Sequence, residues 1–248
     1  MYPYYKKDME TGAITRGFAQ ELMDCIWVKF NDLNKCRDAA SAEGFAGYSL
    51  FQNLIAGGQN KEGEDVTNDL SIMCIQASMH VHLPAPSLSV RVWNGSPHEF
   101  LIKAAELTRT GIGLPAYYND EVIIPALQNR GLSLEDARDY NIIGCVEPQK
   151  AGKTEGWHDA AFFNMCRPLE LVFANGMDKG EIVGIPTGDV TQMKSFEEFF
   201  DAYKKQMEYC ISLLVNADNA IDVAHAERCP LPFLSCMIDD CLKEGRSV

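Results

Sequence analysis

The sequence predicts an α/β fold with parallel strands, either barrel-like or doubly wound. Short apolar runs with strand character are separated by stretches of about 10 to 15 residues with helical periodicity, which is the spacing of βαβ units. The chain has 248 residues, of which 46% are hydrophobic and 23% charged, as is usual for a folded protein. No repeat, low-complexity tract or Gly/Ser-rich linker interrupts the pattern. A chain of this length can bury a substantial core.

Two helices are predicted before residue 82. Thr15 is placed to cap a helix that runs to about Lys35, and Thr67 is placed to cap a second helix. Both segments have apolar residues at helical spacing. In the first these are Phe18, Leu22, Cys25, Ile26 and Phe30, and in the second Leu70, Met73, Cys74, Ala77 and Val81.

Strands and helices then alternate. Leu88, Val90 and Val92 lie on one side of a predicted strand, because alternate residues of a strand point the same way. In order, the predicted elements are the strand Ser87–Trp93, a helix from Pro97 to Gly111, a helix around Val122–Leu127, a helix from Ser133 to near Tyr140, the strand Asn141–Gly144, a buried helix Asp159–Asn175 stopped by Gly176, a long amphipathic helix Ser195–Asn219, and the start of another helix at Phe233–Leu242.

Charge and hydropathy exclude several classes of protein. Lys and Arg number 22 and Asp and Glu 35, which gives a formal net charge of -13. Such acidity disfavours binding to the phosphates of nucleic acids. No run approaches the ~18 apolar residues of a membrane span, and the start of the chain lacks the apolar core of a signal peptide. A cytoplasmic protein that binds neither membrane nor nucleic acid is therefore predicted.

The cysteines predict neither disulfides nor a metal site. There are nine, an odd number, with irregular spacing and no CxxC pair. Mostly buried, inert thiols in a reducing compartment are expected. Two possible pairs of metal ligands, His80 with His82 and His225 with Cys229, have no third ligand at metal spacing, so no metal is predicted.

The segment Asn141-Ile-Ile-Gly-Cys-Val-Glu-Pro-Gln149 is the best candidate for chemistry. Pro148 disfavours helical backbone at Glu147, so an extended chain is expected there. Residues two apart on an extended chain point to the same side, which places the Cys145 thiol and the Glu147 carboxylate on one face, roughly 7 Å apart. The loop after a strand of a parallel sheet is a usual location for catalytic groups.

The carboxylate beside the thiol bears on the type of chemistry. A negative neighbour raises the pKa of a thiol, which opposes thiolate formation. A cysteine that donates and accepts a hydrogen atom fits this pair better than a thiolate nucleophile. From the residues alone, the other interpretation is that Cys145 is a small buried apolar residue and Glu147 a solvated loop charge.

The sequence around Cys145 resembles the active-site cysteine loop of glycyl radical enzymes of the pyruvate formate-lyase-like superfamily. It is most similar to the dehydratase and lyase branch, with glycerol and propanediol dehydratases, hydroxyproline dehydratase and choline trimethylamine-lyase. The resemblance covers essentially the whole chain. Its blocks include Gly144-Cys-Val-Glu-Pro-Gln149, Gly152-Lys-Thr-Glu-Gly-Trp-His-Asp159, Tyr2-Pro-Tyr-Tyr5, Pro86-Ser-Leu-Ser-Val-Arg91, Leu114-Pro-Ala116 and Pro230-Leu-Pro-Phe233.

This resemblance implies a role for each of five residues. Cys145 matches the cysteine that becomes a thiyl radical and abstracts a hydrogen atom from the substrate. Glu147 matches the base that removes a proton from the substrate hydroxyl. Asp159 matches a pocket carboxylate that holds or protonates the leaving hydroxyl, with its neighbour His158 as a weaker candidate. Phe51 lies near a position that shapes the pocket.

The resemblance also implies an architecture and partners. Residues 1–248 would form part of a ten-stranded β/α barrel of the pyruvate formate-lyase type, incomplete at both ends. The C-terminal Arg-Val-x-Gly segment that stores the radical on glycine is expected to be absent, because its nearest counterpart, Arg91-Val-Trp-Asn-Gly95, has the wrong spacing. No cofactor is expected on this chain, and a SAM-dependent iron–sulfur activating enzyme would install the glycyl radical. The full-length protein would be a homodimer, in the cytoplasm or in a bacterial microcompartment.

Two classes of function stay open. The chain is either a segment of a glycyl radical dehydratase or lyase that acts on a small hydroxylated substrate, inactive when isolated, or a barrel remnant that serves in assembly or binding without a radical source. A thiolate-based hydrolase is disfavoured because no histidine adjoins Cys145.

Overall fold

The computed structural model describes residues 1–33, 38–44, 52–144, 146–153 and 161–248, without the side chain of Ser41. The chain divides into two compact units, Met1–Trp157 and His158–Val248. The first unit contains a parallel sheet and the hairpin with Glu147. Its elements are α1 (Tyr2–Glu10), α2 (Arg16–Asp32), α3 (Ala39–Gly44), β1 (Asn53–Gly57), α4 (Asp69–Val81), β2 (Ser87–Val92), α5 (His98–Arg109), β3 (Ala116–Asn119), α6 (Asp120–Asn129), α7 (Leu134–Arg138), β4 (Asn141–Ile143) and β5 (Glu147–Gln149).

A three-stranded parallel sheet, in the order β1-β2-β3, organises the first unit. Helix α4 connects β1 to β2, and α5 connects β2 to β3, so the predicted βαβ arrangement is confirmed. The sequence identified β2 but neither of its neighbours. Strands β1 and β3 have five and four residues and lack the polar–apolar alternation that would distinguish them from loops.

The core of this unit lies between the sheet and helices α2, α4 and α5. Leu88 and Val90 of β2 are fully buried on the helix side, with Phe100 of α5. Trp27 of α2 is also fully buried, and its indole Nε1 donates a hydrogen bond to Ser78 Oγ of α4 at 2.8 Å. The indole therefore enters the core without leaving a polar atom unpaired.

The cap predicted for α2 is confirmed, and the cap predicted for α4 is wrong by one residue. Thr15 Oγ1 accepts a hydrogen bond from the backbone N–H of Phe18 at 3.2 Å. At α4 the cap is Asn68, whose side chain accepts from the N–H of Leu70, while Ser71 Oγ accepts from the N–H of Asn68. The Thr67 hydroxyl instead donates a hydrogen bond to Asp65 Oδ1 at 3.0 Å.

The second unit is mostly helical. Its longest element is α9, which begins where predicted, at the Ser195 cap, but extends to Arg228 rather than Asn219. The predicted helix at Phe233–Leu242 is divided in two. The elements are α8 (Cys166–Phe173), β6 (Met177–Asp178), β7 (Glu181–Ile182), a 3-10 turn (Val190–Gln192), α9 (Phe196–Arg228), α10 (Pro232–Ser235) and α11 (Asp239–Glu244).

The predicted buried helix Asp159–Asn175 is wrong over residues 161–165, and its first two residues lie outside the described ranges. Residues 161–164 are not helical, and Phe162 is 98% exposed. Pro168 lies in the first turn of α8, where a missing N–H is tolerated, and it disfavours extension of the helix towards the N-terminus. The predicted stop is close to correct, since Gly176 adopts a φ of +79° three residues after α8 ends.

The thiols are less buried than the sequence suggested. Of the seven cysteines among the described residues, Cys74 and Cys241 are buried and Cys210 is half-buried, while Cys25, Cys166, Cys229 and Cys236 are exposed. Burial raises the pKa of the Cys74 thiol to about 12, which keeps that thiol protonated near neutral pH.

In the part of the chain that the structure describes, no helix is both long enough and apolar enough to cross a membrane.

Candidate active site

The segment that the sequence singled out forms a tight β-hairpin. Strands β4 and β5 pair antiparallel, with Ile142 opposite Pro148 and Ile143 opposite Glu147. The predicted strand up to Gly144 and the extended backbone at Glu147 are therefore confirmed. The sequence also placed this segment after a strand of a parallel sheet. That placement is not confirmed, because β4 is hydrogen-bonded to β5 in a separate two-stranded sheet. Gly144 and Val146 belong to the turn of this hairpin.

Cys145, the predicted radical cysteine, lies outside the described residues, so its distance from Glu147 stays a prediction. Phe51, His158 and Asp159, the other predicted site residues, also lie outside the described ranges. Glu147 is the one member of the predicted set whose surroundings are defined.

The Glu147 carboxylate folds back against the turn. The side chain is half-buried, and its Oε2 accepts a hydrogen bond from the backbone N–H of Val146 at 2.6 Å. Both carboxylate oxygens also lie close to Gly144, where an added Cβ would come within 2.9 Å of each oxygen. Gly144 has a φ of +57°, in the left-handed region that glycine adopts without strain. The glycine therefore provides both the backbone turn and the space that the carboxylate occupies.

The turn is anchored to the parallel sheet by Asn53, the first residue of β1. Its Nδ2 donates a hydrogen bond to the carbonyl oxygen of Gly144 at 2.7 Å. This carbonyl belongs to the peptide unit that leads directly into Cys145. A side chain of the sheet thus holds the backbone immediately before the candidate radical residue.

A buried ion pair lies at the base of the hairpin. Arg91 of β2 and Asp120, the first residue of α6, make two hydrogen bonds of 2.8 Å, from Nε to Oδ1 and from Nη2 to Oδ2. Arg91 is 5% exposed and Asp120 is fully buried. Buried charges of this kind are tolerated only when they are paired and hydrogen-bonded, which the two-point geometry provides.

Tyr140 joins this ion pair to β4, which begins at the next residue. Its hydroxyl donates to Asp120 Oδ1 at 2.8 Å, and the Arg91 guanidinium lies 4.0 Å from the centre of its ring. Burial, followed by the negative charge of Asp120, raises the pKa of Tyr140, so the phenol stays protonated and remains a donor. Strand β2, helix α6 and the start of β4 are therefore fixed to one another.

Sequence reasoning missed this cluster, although one signal was present. Arg91 lies within the otherwise apolar strand β2, and an arginine that is buried there needs a partner. In the structure Ser89 and Arg91 are both buried, so the second face of the strand is covered. The sequence does not identify that partner as Asp120, which is 29 residues away.

Two lysines after β5 attach the hairpin to α7 and to Asp139, the residue that follows it. Lys150 Nζ lies 3.2 Å from Asp139 Oδ2, and Lys153 Nζ lies 2.6 Å from Asp136 Oδ2. The hydrogen bond from Lys153 lowers the pKa of Asp136 below its ordinary value. Among the described residues, no group of three or more His, Cys, Asp or Glu side chains is arranged to hold a metal ion.

Because Gly144 contacts the Glu147 carboxylate, a single methyl group added at position 144 has a predictable effect. Gly144→Ala is expected to displace the carboxylate, and if Glu147 has the catalytic role proposed below, turnover of the full-length protein would fall by about 100-fold, since a shift of roughly 1 Å in a catalytic group costs that much. Rates would be measured with saturating substrate after anaerobic activation.

Gly12→Ala is the matched control for this variant. Gly12 has a similar φ of +69°, and an added Cβ there would meet nothing within 4 Å. The control therefore adds the same left-handed strain without the steric clash, and it should leave turnover unchanged. Equal losses in the two variants would mean that backbone strain, and not the position of the carboxylate, limits activity.

Comparisons with known proteins agree on one family. A model of the pyruvate formate lyase-like family matches residues 1–248. The (2S)-3-sulfopropanediol dehydratase of Klebsiella oxytoca is 36% identical over 255 residues, which cover 100% of this chain and 30% of that enzyme. The chain thus spans less than a third of the length of this relative.

Two solved structures resemble the chain still more strongly. One, on 1,2-propanediol dehydration in Roseburia inulinivorans, is 72% identical with a TM-score of 0.90. The other, the glycerol-bound form of the B12-independent glycerol dehydratase from Clostridium butyricum, is 63% identical with a TM-score of 0.88. Each match covers 99% of this chain and 31% of the other chain. These structures agree with an α/β barrel of which this chain forms part.

Proposed function

Because the chain belongs to the pyruvate formate lyase-like family, we propose that it is a segment of a glycyl radical dehydratase that converts a small vicinal diol to an aldehyde and water. This proposal rests on how the sequence identity of the chain differs from one relative to another. The chain is 72% and 63% identical to the structures concerned with 1,2-propanediol dehydration and glycerol dehydratase, but 36% identical to the sulfopropanediol and hydroxyproline dehydratases. Uncharged three-carbon diols are therefore the substrate class that we propose.

In this proposal Cys145 and Glu147 act in sequence on the same carbon of the diol. The Cys145 thiyl radical takes a hydrogen atom from the hydroxyl-bearing carbon, which leaves a thiol and a carbon radical. Glu147 removes the proton of that hydroxyl, and the electron-rich radical expels the neighbouring hydroxyl. Asp159 gives that group a proton, so it leaves as water. The resulting radical then takes the hydrogen atom back from the Cys145 thiol, which releases the aldehyde and regenerates the thiyl radical.

The described geometry supports the assignment of Glu147. A general base must reach within about 3 Å of the proton that it removes. The Glu147 carboxylate is half-buried at the tip of a hairpin and lies against residues on both sides of Cys145. The tip of the hairpin is also accessible at Val146, which is 63% exposed.

The proposal includes components outside this sequence. A glycine radical on another segment of the protein, installed by a SAM-dependent iron–sulfur enzyme, would supply the unpaired electron. This chain's own residues would orient the diol, move its protons and exclude water during the elimination. We propose a homodimer as the form of the full-length enzyme, and we expect the 248-residue chain to be inactive by itself.

The test is a substrate panel on the full-length, anaerobically activated protein. We expect 1,2-propanediol and glycerol to be dehydrated, and 3-sulfopropanediol and trans-4-hydroxy-L-proline to be poor substrates. Radical content would be measured in each sample by electron paramagnetic resonance. A protein that carries the radical but leaves both uncharged diols intact would contradict the proposal.

Replacement of the candidate radical residue adds a second test. Cys145→Ser should abolish turnover while the glycine radical still forms. Cys25→Ser, which changes an exposed thiol on α2, should leave turnover intact. Dehydration by the Cys145→Ser variant would exclude the thiyl mechanism.

A further inference from the structure

We propose that Asn53 is a positioning residue that holds Gly144 and, through it, the Glu147 carboxylate in place, an inference that rests on the proposed function. It contributes one hydrogen bond, from Nδ2 to the carbonyl oxygen of Gly144 at 2.7 Å. Asn53 lies on β1, 91 residues before that glycine. The contact is therefore a long-range tie between the parallel sheet and the hairpin.

Gly144 links Asn53 to the candidate base. Its carbonyl oxygen accepts the bond from Asn53, and its Cα lies against the Glu147 carboxylate. A movement of this glycine would open the space beneath the carboxylate. Asn53 acts through Gly144 on Glu147 without touching the substrate.

The other half of the Asn53 amide supports a specific role. Its Oδ1 is buried, and no hydrogen bond to it is present among the described residues. Buried polar atoms without a partner are rare because they are costly. An apolar residue of similar size would avoid that cost but would lose the bond to Gly144. A contribution to stability therefore explains an asparagine at position 53 poorly, whereas a role in holding the turn in position explains it well.

Asn31 provides a matched comparison within the same unit. It is also a half-buried asparagine that bonds a distant backbone carbonyl, with Nδ2 donating to Ala85 O at 2.6 Å. Unlike Asn53, it is satisfied on both sides, since Oδ1 accepts from the N–H of Ala85 at 3.3 Å. It lies on α2, and its bonds among the described residues are to Trp27 and Ala85. Its loss should therefore affect stability and not catalysis.

The test compares Asn53→Leu with Asn31→Leu in the full-length activated protein. For Asn53→Leu we expect kcat to fall by about 100-fold, the cost of a roughly 1 Å displacement. KM, radical content and the melting temperature should change little. For Asn31→Leu we expect a lower melting temperature with kcat unchanged. Asn53→Gln, which keeps an amide donor, should recover about tenfold in kcat, close to the worth of one hydrogen bond.

Hydrogen–deuterium exchange supplies a measurement that does not depend on activity. In the unactivated protein, Asn53→Leu should speed exchange of the amides in 144–149 by about tenfold, and Asn31→Leu should not. A wild-type protein with no activity on diols would contradict the proposed function and leave this measurement valid. An active wild-type protein, with kcat and hairpin exchange unchanged in Asn53→Leu, would overturn the role of Asn53 alone. Equal losses of kcat in the Leu and Gln variants would also overturn it.

Discussion

Asp120→Ala is expected to destabilise the protein by about 3–5 kcal/mol, the usual cost of removing one partner of a buried ion pair. Arg91 would keep its charge in a site that is 5% exposed, and the Tyr140 hydroxyl would lose its acceptor. Urea denaturation of the full-length protein, followed by tryptophan fluorescence, would measure the effect as a lower midpoint.

Two further variants show whether the unpaired charge is the cause. Asp136→Ala removes a carboxylate from the more exposed pair with Lys153, and it should cost no more than about 1 kcal/mol. The double variant Arg91→Leu/Asp120→Leu removes both charges, and it should be more stable than Asp120→Ala, because buried pairs are often replaced by apolar residues with little loss. A double variant as unstable as the single one would point to lost packing instead.

The hydrogen bonds of this cluster explain why a costly ion pair is useful here. Asp120 begins the helix that follows β3, Arg91 lies near the end of β2, and Tyr140 precedes β4. One carboxylate thus accepts bonds from two separate parts of the chain, and it fixes the start of the hairpin relative to the sheet. Asn53 fixes the other end of the same strand, at Gly144. Strand β4, which has only three residues, is held at both ends by side chains of other elements.

The sequence was most informative where structure depends on neighbouring residues. The Thr15 and Ser195 caps, the strand at β2 and the extended backbone before Pro148 all follow from local chemistry, and the structure confirms them. Each of these features is determined within four or five residues of the chain. The resemblance to glycyl radical enzymes was equally accessible, because short blocks with fixed chemistry persist along the whole sequence.

The features that the sequence did not predict depend on distant partners. Strands β1 and β3 are defined by pairing with β2, and five residues such as Asn53–Gly57 carry too little pattern to show it. The hairpin was interpreted as a strand followed by a loop, because nothing in Glu147-Pro-Gln149 specifies antiparallel pairing with β4. Asn53 gave no signal at all, since its partner is a backbone carbonyl, which every residue possesses.

Glu147→Gln is expected to separate the two halves of the proposed reaction. The amide oxygen of glutamine can still accept the hydrogen bond from the N–H of Val146, so the turn should keep its geometry while the base is lost. Hydrogen abstraction at the substrate carbon needs no base, and exchange of that hydrogen with solvent through the Cys145 thiol should continue. Elimination should fall by about 100- to 10,000-fold, the usual contribution of a general base.

Deuterium incorporation into unreacted 1,2-propanediol and aldehyde formation would be measured on the same full-length, activated sample. Glu135→Gln serves as the control, because Glu135 is exposed on α7, and both rates should match those of the unmodified protein. Aldehyde formation by Glu147→Gln within about tenfold of the unmodified rate would remove Glu147 from the role of base. If Glu147→Gln lost deuterium exchange as well as elimination, Glu147 would have a role in positioning Cys145. A carboxylate that acts only as a base cannot influence hydrogen abstraction, which precedes the removal of the proton.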